Sequence, residues 1–188
     1  MISFVPAEAA MSFPNINIGM QTANTPQDFT NGLQILIWLT ILTLAPSILI
    51  MTTSFVRLVV VLSLTRQALG AGTLPPNQVI TSLALILTFF IMAPTFNEIN
   101  EKALQPYMNN QITQQVALDR GIVPVRNFMF KQTHEKELAL FVRMAKIEKP
   151  KNKDDVPTYV LLPSFILSEL KTAFTIGFVV YLPFLVID

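Results

Sequence analysis

The chain has 188 residues, of which 52% are hydrophobic and only 13% charged, about half the charge of an ordinary soluble domain. It contains no cysteine and a single histidine, which excludes a disulfide framework and argues against a zinc site, and no cofactor is expected. The net charge of +1, with no basic run interleaved with aromatics, excludes nucleic acid as a partner.

In chain order, residues 1–28 form an N-terminal tail in which Ala7-Glu8-Ala9 has the form of an A-x-A cleavage site. This tail reads either as a signal-peptide remnant or as a disordered extension. Residues 29–66 read as a first apolar helix, with no charge from 29 to 56 and an expected kink at Pro46, which removes a backbone hydrogen bond. Gly70 and Gly72 stop it, and Pro75, Pro76 and Asn77 complete a turn over 67–78. A second apolar helix over 79–96 follows, making a helical hairpin; its 18 residues rise about 27 Å, close to a bilayer core of about 30 Å.

The character then reverses. Residues 97–158 carry ten Lys/Arg and eight Asp/Glu and read as a water-facing helical domain. Leu138, Phe141, Val142 and Ala145 repeat at helical spacing, with Thr133 as the cap and Glu135 and Glu137 in the first turn. Residues 159–188 form a third apolar segment, with a second expected kink at Pro183. No strand alternation or internal repeat is present, so the fold class is all-α: hydrophobic helical hairpins with a helical extracytoplasmic central domain.

Two charges interrupt the third segment. A charged side chain near the centre of a spanning helix costs on the order of 3 kcal/mol, so Glu169 and Lys171 require partners or water. Residues two apart on a helix point about 200° away from each other, so these two cannot pair within it. Their partners are expected on neighbouring subunits, specifically as an intersubunit contact of Glu169 with Lys171. A helix starting near Pro163 would instead let both snorkel to an interface. Ser164, Ser168, Lys171 and Thr175 share one face. Arg57 reads either as the marker of a cytoplasmic helix end or as a buried charge near Thr53 and Ser54. With Arg66 it flanks the hairpin turn, which the positive-inside rule places in the cytoplasm, leaving the tail and the polar domain outside. His134-Glu135 lacks the second histidine of a metalloprotease motif. The eight methionines are mostly dispersed, as in ordinary packing.

Residues 54–70 (S-F-V-R-L-V-V-V-L-S-L-T-R-Q-A-L-G), 75–78 (P-P-N-Q), 83–94 (L-A-L-I-L-T-F-F-I-M-A-P), 126–141 (R-N-F-M-F-K-Q-T-H-E-K-E-L-A-L-F), 168–178 (S-E-L-K-T-A-F-T-I-G-F) and 183–188 (P-F-L-V-I-D) closely resemble the FliP family of flagellar export-gate proteins. The resemblance implies an inner-membrane protein of the flagellar basal body. Copies of it would associate with one another and with FliQ- and FliR-like subunits in a channel that passes unfolded flagellar proteins, without catalysis by this chain. Family members continue past the position of Asp188 with an apolar segment, a methionine-rich sealing loop and final helices, so no residue here is assigned to that seal. Tyr181 is similar to the SctR relatives of virulence secretion systems, which form the alternative reading. An intramembrane enzyme would need a nucleophile and base at helical spacing, and a secondary transporter two similar halves. A structural membrane anchor is separated from a gate by whether the apparatus is built but fails to export.

Overall fold

The computed structural model describes residues 26–70 and 72–187; the reading of Ala7-Glu8-Ala9 lies outside the described residues. Every element among them is helical: α1 (Pro26–Met51), α2 (Phe55–Ala68), α3 (Asn77–Ile99), a π-helical turn (Asn100–Leu104) leading into α4 (Gln105–Met108), α5 (Gln114–Gln132), α6 (Glu135–Met144) and α7 (Thr158–Ile187). The chain divides into two units, Met1–Leu42 and Thr43–Asp188. In the first, the described residues belong to α1, and none of the residues over Gly32–Met51 is buried.

The first apolar helix expected over 29–66 is two helices in the structure, α1 and α2. The break falls at Thr52-Thr53-Ser54, where side chains compete with the helical ladder. The Thr52 and Thr53 hydroxyls donate to the carbonyls of Leu49 (3.1 Å) and Ile50 (2.9 Å), and Phe55 N–H turns to Thr53 Oγ1 (3.4 Å). Pro46 and Pro183 sit inside α1 and α7, and the helix continues across each. α2 ends where Gly70 (φ +62°) and Gly72 (φ +58°) take left-handed conformations that L side chains rarely adopt. Pro76 caps α3, and Arg66 closes the turn by donating to the Pro75 carbonyl (2.9 Å) and to Asn77 Oδ1 (2.8 Å).

Within the second unit α2 packs on both α3 and α7, and α3 reaches α5 with Ile80, Ala84, Thr88, Met92 and Thr95 buried along its length. The polar section is not a separate body. α5 and α6 pack along the first half of α7, and their shared core joins Met129 and Val142 to Val156, Val160, Leu161 and Phe165. Phe128 meets Phe165 edge-on at 5.9 Å between ring centroids. Burying a side chain such as Phe165 contributes about 1.5–3 kcal/mol, so the oily start of α7 is the hydrophobic core of the charged segment.

Arg126 fixes the loop that returns the chain to α7. It donates to the carbonyls of Val156 (2.7 Å) and Lys153 (3.3 Å) and to the Thr158 hydroxyl (2.5 Å), and its guanidinium lies over the Phe130 ring at 5.6 Å. Arg126→Ala is expected to cost about 1–3 kcal/mol, the range for a removed charged hydrogen-bonding group. The matching observation is faster tryptic cleavage at Lys151 and Lys153; an unchanged cleavage rate contradicts it.

Candidate functional site: a polar junction on α7

The described charges of α7 find partners inside the chain. Arg57, in the first turn of α2, forms an ion pair with Glu169, whose side chain is 1% exposed, and the same Nη2 donates to Gln132 Oε1 at the end of α5 (2.7 Å). Lys171 Nζ meets Glu137 Oε1 at 2.6 Å. Between the pairs, His134 N–H donates to Ser168 Oγ (3.0 Å), Ser168 donates to the Ser164 carbonyl (2.8 Å), and the His134 ring stands 3.2 Å from Thr172 Oγ1. His134 and Glu137 thus meet one stretch of α7, 168–172, while Gln132 holds the Arg57 that pairs with Glu169. Within one chain, therefore, Glu169 is met by Arg57 and Lys171 by Glu137. α7 begins at Thr158, five residues before Pro163, so Glu169 lies about three turns inside the helix. Arg57 itself keeps 24% of its side chain exposed, beside the buried Ser54.

The local fold explains the placement. α6 turns Leu138 and Val142 onto the core, and Glu137 lies one turn before Phe141, so its carboxylate is carried to the same interface and is 8% exposed. The cap of α6 is His134, one residue beyond the expected Thr133, whose hydroxyl instead donates to the Met129 carbonyl (2.7 Å). Glu135 and Glu137 occupy the first turn as expected. The second carboxylate oxygens of Glu137 and Glu169, and Arg57 Nε, are buried without a hydrogen-bond partner in the chain. Among the described residues no three His, Asp or Glu side chains are placed to hold a metal.

The Lys171 ammonium holds the Glu137 carboxyl below the ordinary carboxylate range, against the opposing effect of burial. A carboxyl depressed by folding contributes stability that is fully present above its unfolded value and is lost as pH falls through its folded value. The α6 to α7 contact is therefore expected to hold at pH 7 and to loosen only below the ordinary carboxylate range. Melting of the wild type should drop on acidification by more than that of Glu137→Gln, which has no carboxylate to protonate there. Equal acid sensitivity of the two would contradict the pairing.

Of the turn and kink residues, Pro75 and Asn77 are held by Arg66 and Pro76 caps α3, whereas Pro46 and Pro183 lie inside α1 and α7. Gly177 is a packing position that sequence reading passed over: a Cβ built there would stand 3.0 Å from Leu64 Cβ and closer still to the Leu64 side-chain end. With Arg57 beside Glu169 and Leu64 beside Gly177, α2 and α7 run in the same direction.

These features define an all-helical protein with three helices long and apolar enough to cross a membrane, Gly32–Met51, Asn77–Met108 and Thr158–Phe184, the third carrying two charges near its centre that are paired with α2 and α6. The model of the FliP family matches residues 38–188. Three proteins named Flagellar biosynthetic protein FliP are similar over most of the chain. That of Bacillus subtilis (strain 168) is 47% identical over 91% of this chain and 77% of its own length. That of Pectobacterium carotovorum subsp. carotovorum is 52% identical over 88% and 64%, and that of Aquifex aeolicus (strain VF5) 50% identical over 86% and 68%. The chain thus spans about two thirds to three quarters of the length of these relatives. It belongs to the FliP family.

Proposed function

We propose that this protein is a subunit of the flagellar type III export gate, assembling with copies of itself and with FliQ- and FliR-like subunits into a channel for unfolded flagellar proteins. Membership of the FliP family over residues 38–188 carries the reading, and the three relatives named above carry the flagellar name rather than that of a virulence system. The physical state of the chain supports assembly. Phe89, Phe90, Phe174, Phe178 and Val179 stand exposed on α3 and α7, an amount of uncovered apolar surface that a soluble monomer does not carry. Lys171, the central residue of the third apolar helix, keeps 56% of its side chain exposed, so a neighbouring subunit can reach it, whereas Glu169 is closed off by Arg57. The contact between subunits therefore runs through Lys171 and the apolar flank around it, with passive conduction along the assembled channel.

The same geometry bears on topology. The charged helices α5 and α6 lie against the first half of α7, so that half sits outside the hydrocarbon. With the positive-inside rule, the polar helices are extracytoplasmic and the α2–α3 turn points toward the cytoplasmic face. Deleting the gene in its bacterium tests the function. The reading requires that export of hook and filament proteins stop, with restoration from a plasmid; normal flagella in the deletion strain would overturn it.

A further inference from the structure

We propose that the turn between α2 and α3 is seated among the acyl chains of a bilayer and does not emerge into water on the far side. Three observations carry this. α2 has 14 residues, a rise of about 21 Å, and it starts at the polar junction where Arg57 meets Glu169 and Gln132, so it is too short to carry the turn across a hydrocarbon core of about 30 Å. No charged residue occurs from Gln67 to Asn97, and the one cation at the turn, Arg66, is bent inward onto the Pro75 carbonyl and the Asn77 side chain rather than free for headgroups. The turn exposes two large apolar side chains, Leu69 at 57% and Leu74 at 67%, beside the uncharged Gln67, Thr73, Asn77 and Gln78, and its surface runs on without a charge into exposed Val79, Leu83 and Ile86 of α3.

Backbone in lipid must be satisfied from within, and several groups at the two ends of this turn are. Leu69 N–H bonds to the Thr65 carbonyl and Gly70 N–H to that of Gln67. Two consecutive prolines remove two donors, Arg66 takes the Pro75 carbonyl, and Val79 and Ile80 N–H both reach that of Pro76. Arg66 acts here as an internal clamp that occupies a carbonyl and a side-chain oxygen of the turn.

The inference rests on the membrane reading above, and its test separates the two. The full chain has no cysteine, so single thiols can be placed by Leu74→Cys at the turn and Lys151→Cys in the exposed loop before α7. Each variant is reconstituted in phosphatidylcholine vesicles, and a membrane-impermeant maleimide is supplied on both sides by freeze-thaw. The expected result is labelling at Leu74→Cys at least about tenfold slower than at Lys151→Cys, with full reaction after denaturation. A fluorophore coupled at the Leu74 position before reconstitution is expected to be quenched by lipids carrying a nitroxide on the acyl chain. Equal labelling rates would overturn the proposal by placing the turn in water. Slow labelling without quenching would overturn it too, by placing a protein surface over the turn. A chain that fails to float with the vesicles would overturn the membrane reading itself.

Discussion

Glu169→Lys is expected to separate α2 from α7 and to leave the chain unable to form its native assembly, and adding Arg57→Glu to the same chain is expected to restore much of both. The wild-type pair is almost closed to solvent on the Glu169 side, and Arg57 is held by Gln132 as well. Breaking one partner of a buried pair costs about 3–5 kcal/mol, because the other charge stays buried without compensation. That is a large fraction of the 5–15 kcal/mol by which typical domains are stable. In the reversed variant two cations face each other, which is worse than simple loss. Glu169→Gln is expected to be milder, since an amide oxygen still accepts from the guanidinium. The readout is the thermal midpoint of the chain in detergent, with the assembly followed on a native gel. Rescue by Arg57→Glu carried on a different copy, and none when both changes share a chain, would show that the partners belong to different subunits.

The second large effect lies at Gly177. Leu64 of α2 packs directly over its Cα, and an added Cβ would come within 3.0 Å of Leu64 Cβ, a contact tighter than real Cβ atoms accept without movement. Because that atom is fixed to the α2 backbone, rotating the Leu64 side chain cannot by itself relieve the overlap. Gly177→Ala is expected to cost about 1–3 kcal/mol and Gly177→Val more, as for other overpacked cores. Leu64→Ala removes the outer methyl groups and should recover part of the loss in Gly177→Ala, a coupling that a double-mutant cycle measures. Strictly additive effects would mean that the two residues do not meet.

Much of this arrangement was legible in the residues because hydrophobic runs and their interruptions are local signals. A charge-free stretch located α3 and a long apolar run with two charges located α7, and Gly70, Gly72 and Pro76 marked the turn, since left-handed backbone and a missing N–H leave few other residue choices. The break between α1 and α2 was missed because Thr52-Thr53-Ser54 ends a helix through side chains that fold back on carbonyls, an effect that propensity and periodicity do not register. The charges on α7 were recognised as needing partners, but those partners lie 112 and 34 residues away in sequence, and nothing in the pattern of α7 names them. Glu137 did carry a signal: it stands on the apolar face of α6, one turn before Phe141, where an acid is out of place unless something meets it. Gln132 carried none. The polar segment reads as a water-facing domain because composition changes sharply at its edges, and its few apolar side chains find their core in the neighbouring oily helix.

The central claim is that the α7 charges are met within one chain, so that α2 and α7 travel as a single body into the assembly. Cysteines at 64 and 177 test it most directly: Leu64→Cys removes the side-chain end that crowds Gly177, the remaining Cβ–Cβ distance of 3.0 Å has to open only slightly to reach the about 3.5–4.5 Å of a disulfide, and the chain has no other thiol. Two differently tagged copies of Leu64→Cys/Gly177→Cys are co-expressed, oxidised and separated under denaturing conditions. The account predicts a cross-link inside each chain that shifts the monomer band and joins no two tags. Cross-linked dimers carrying both tags, with no internally closed monomer, would contradict it.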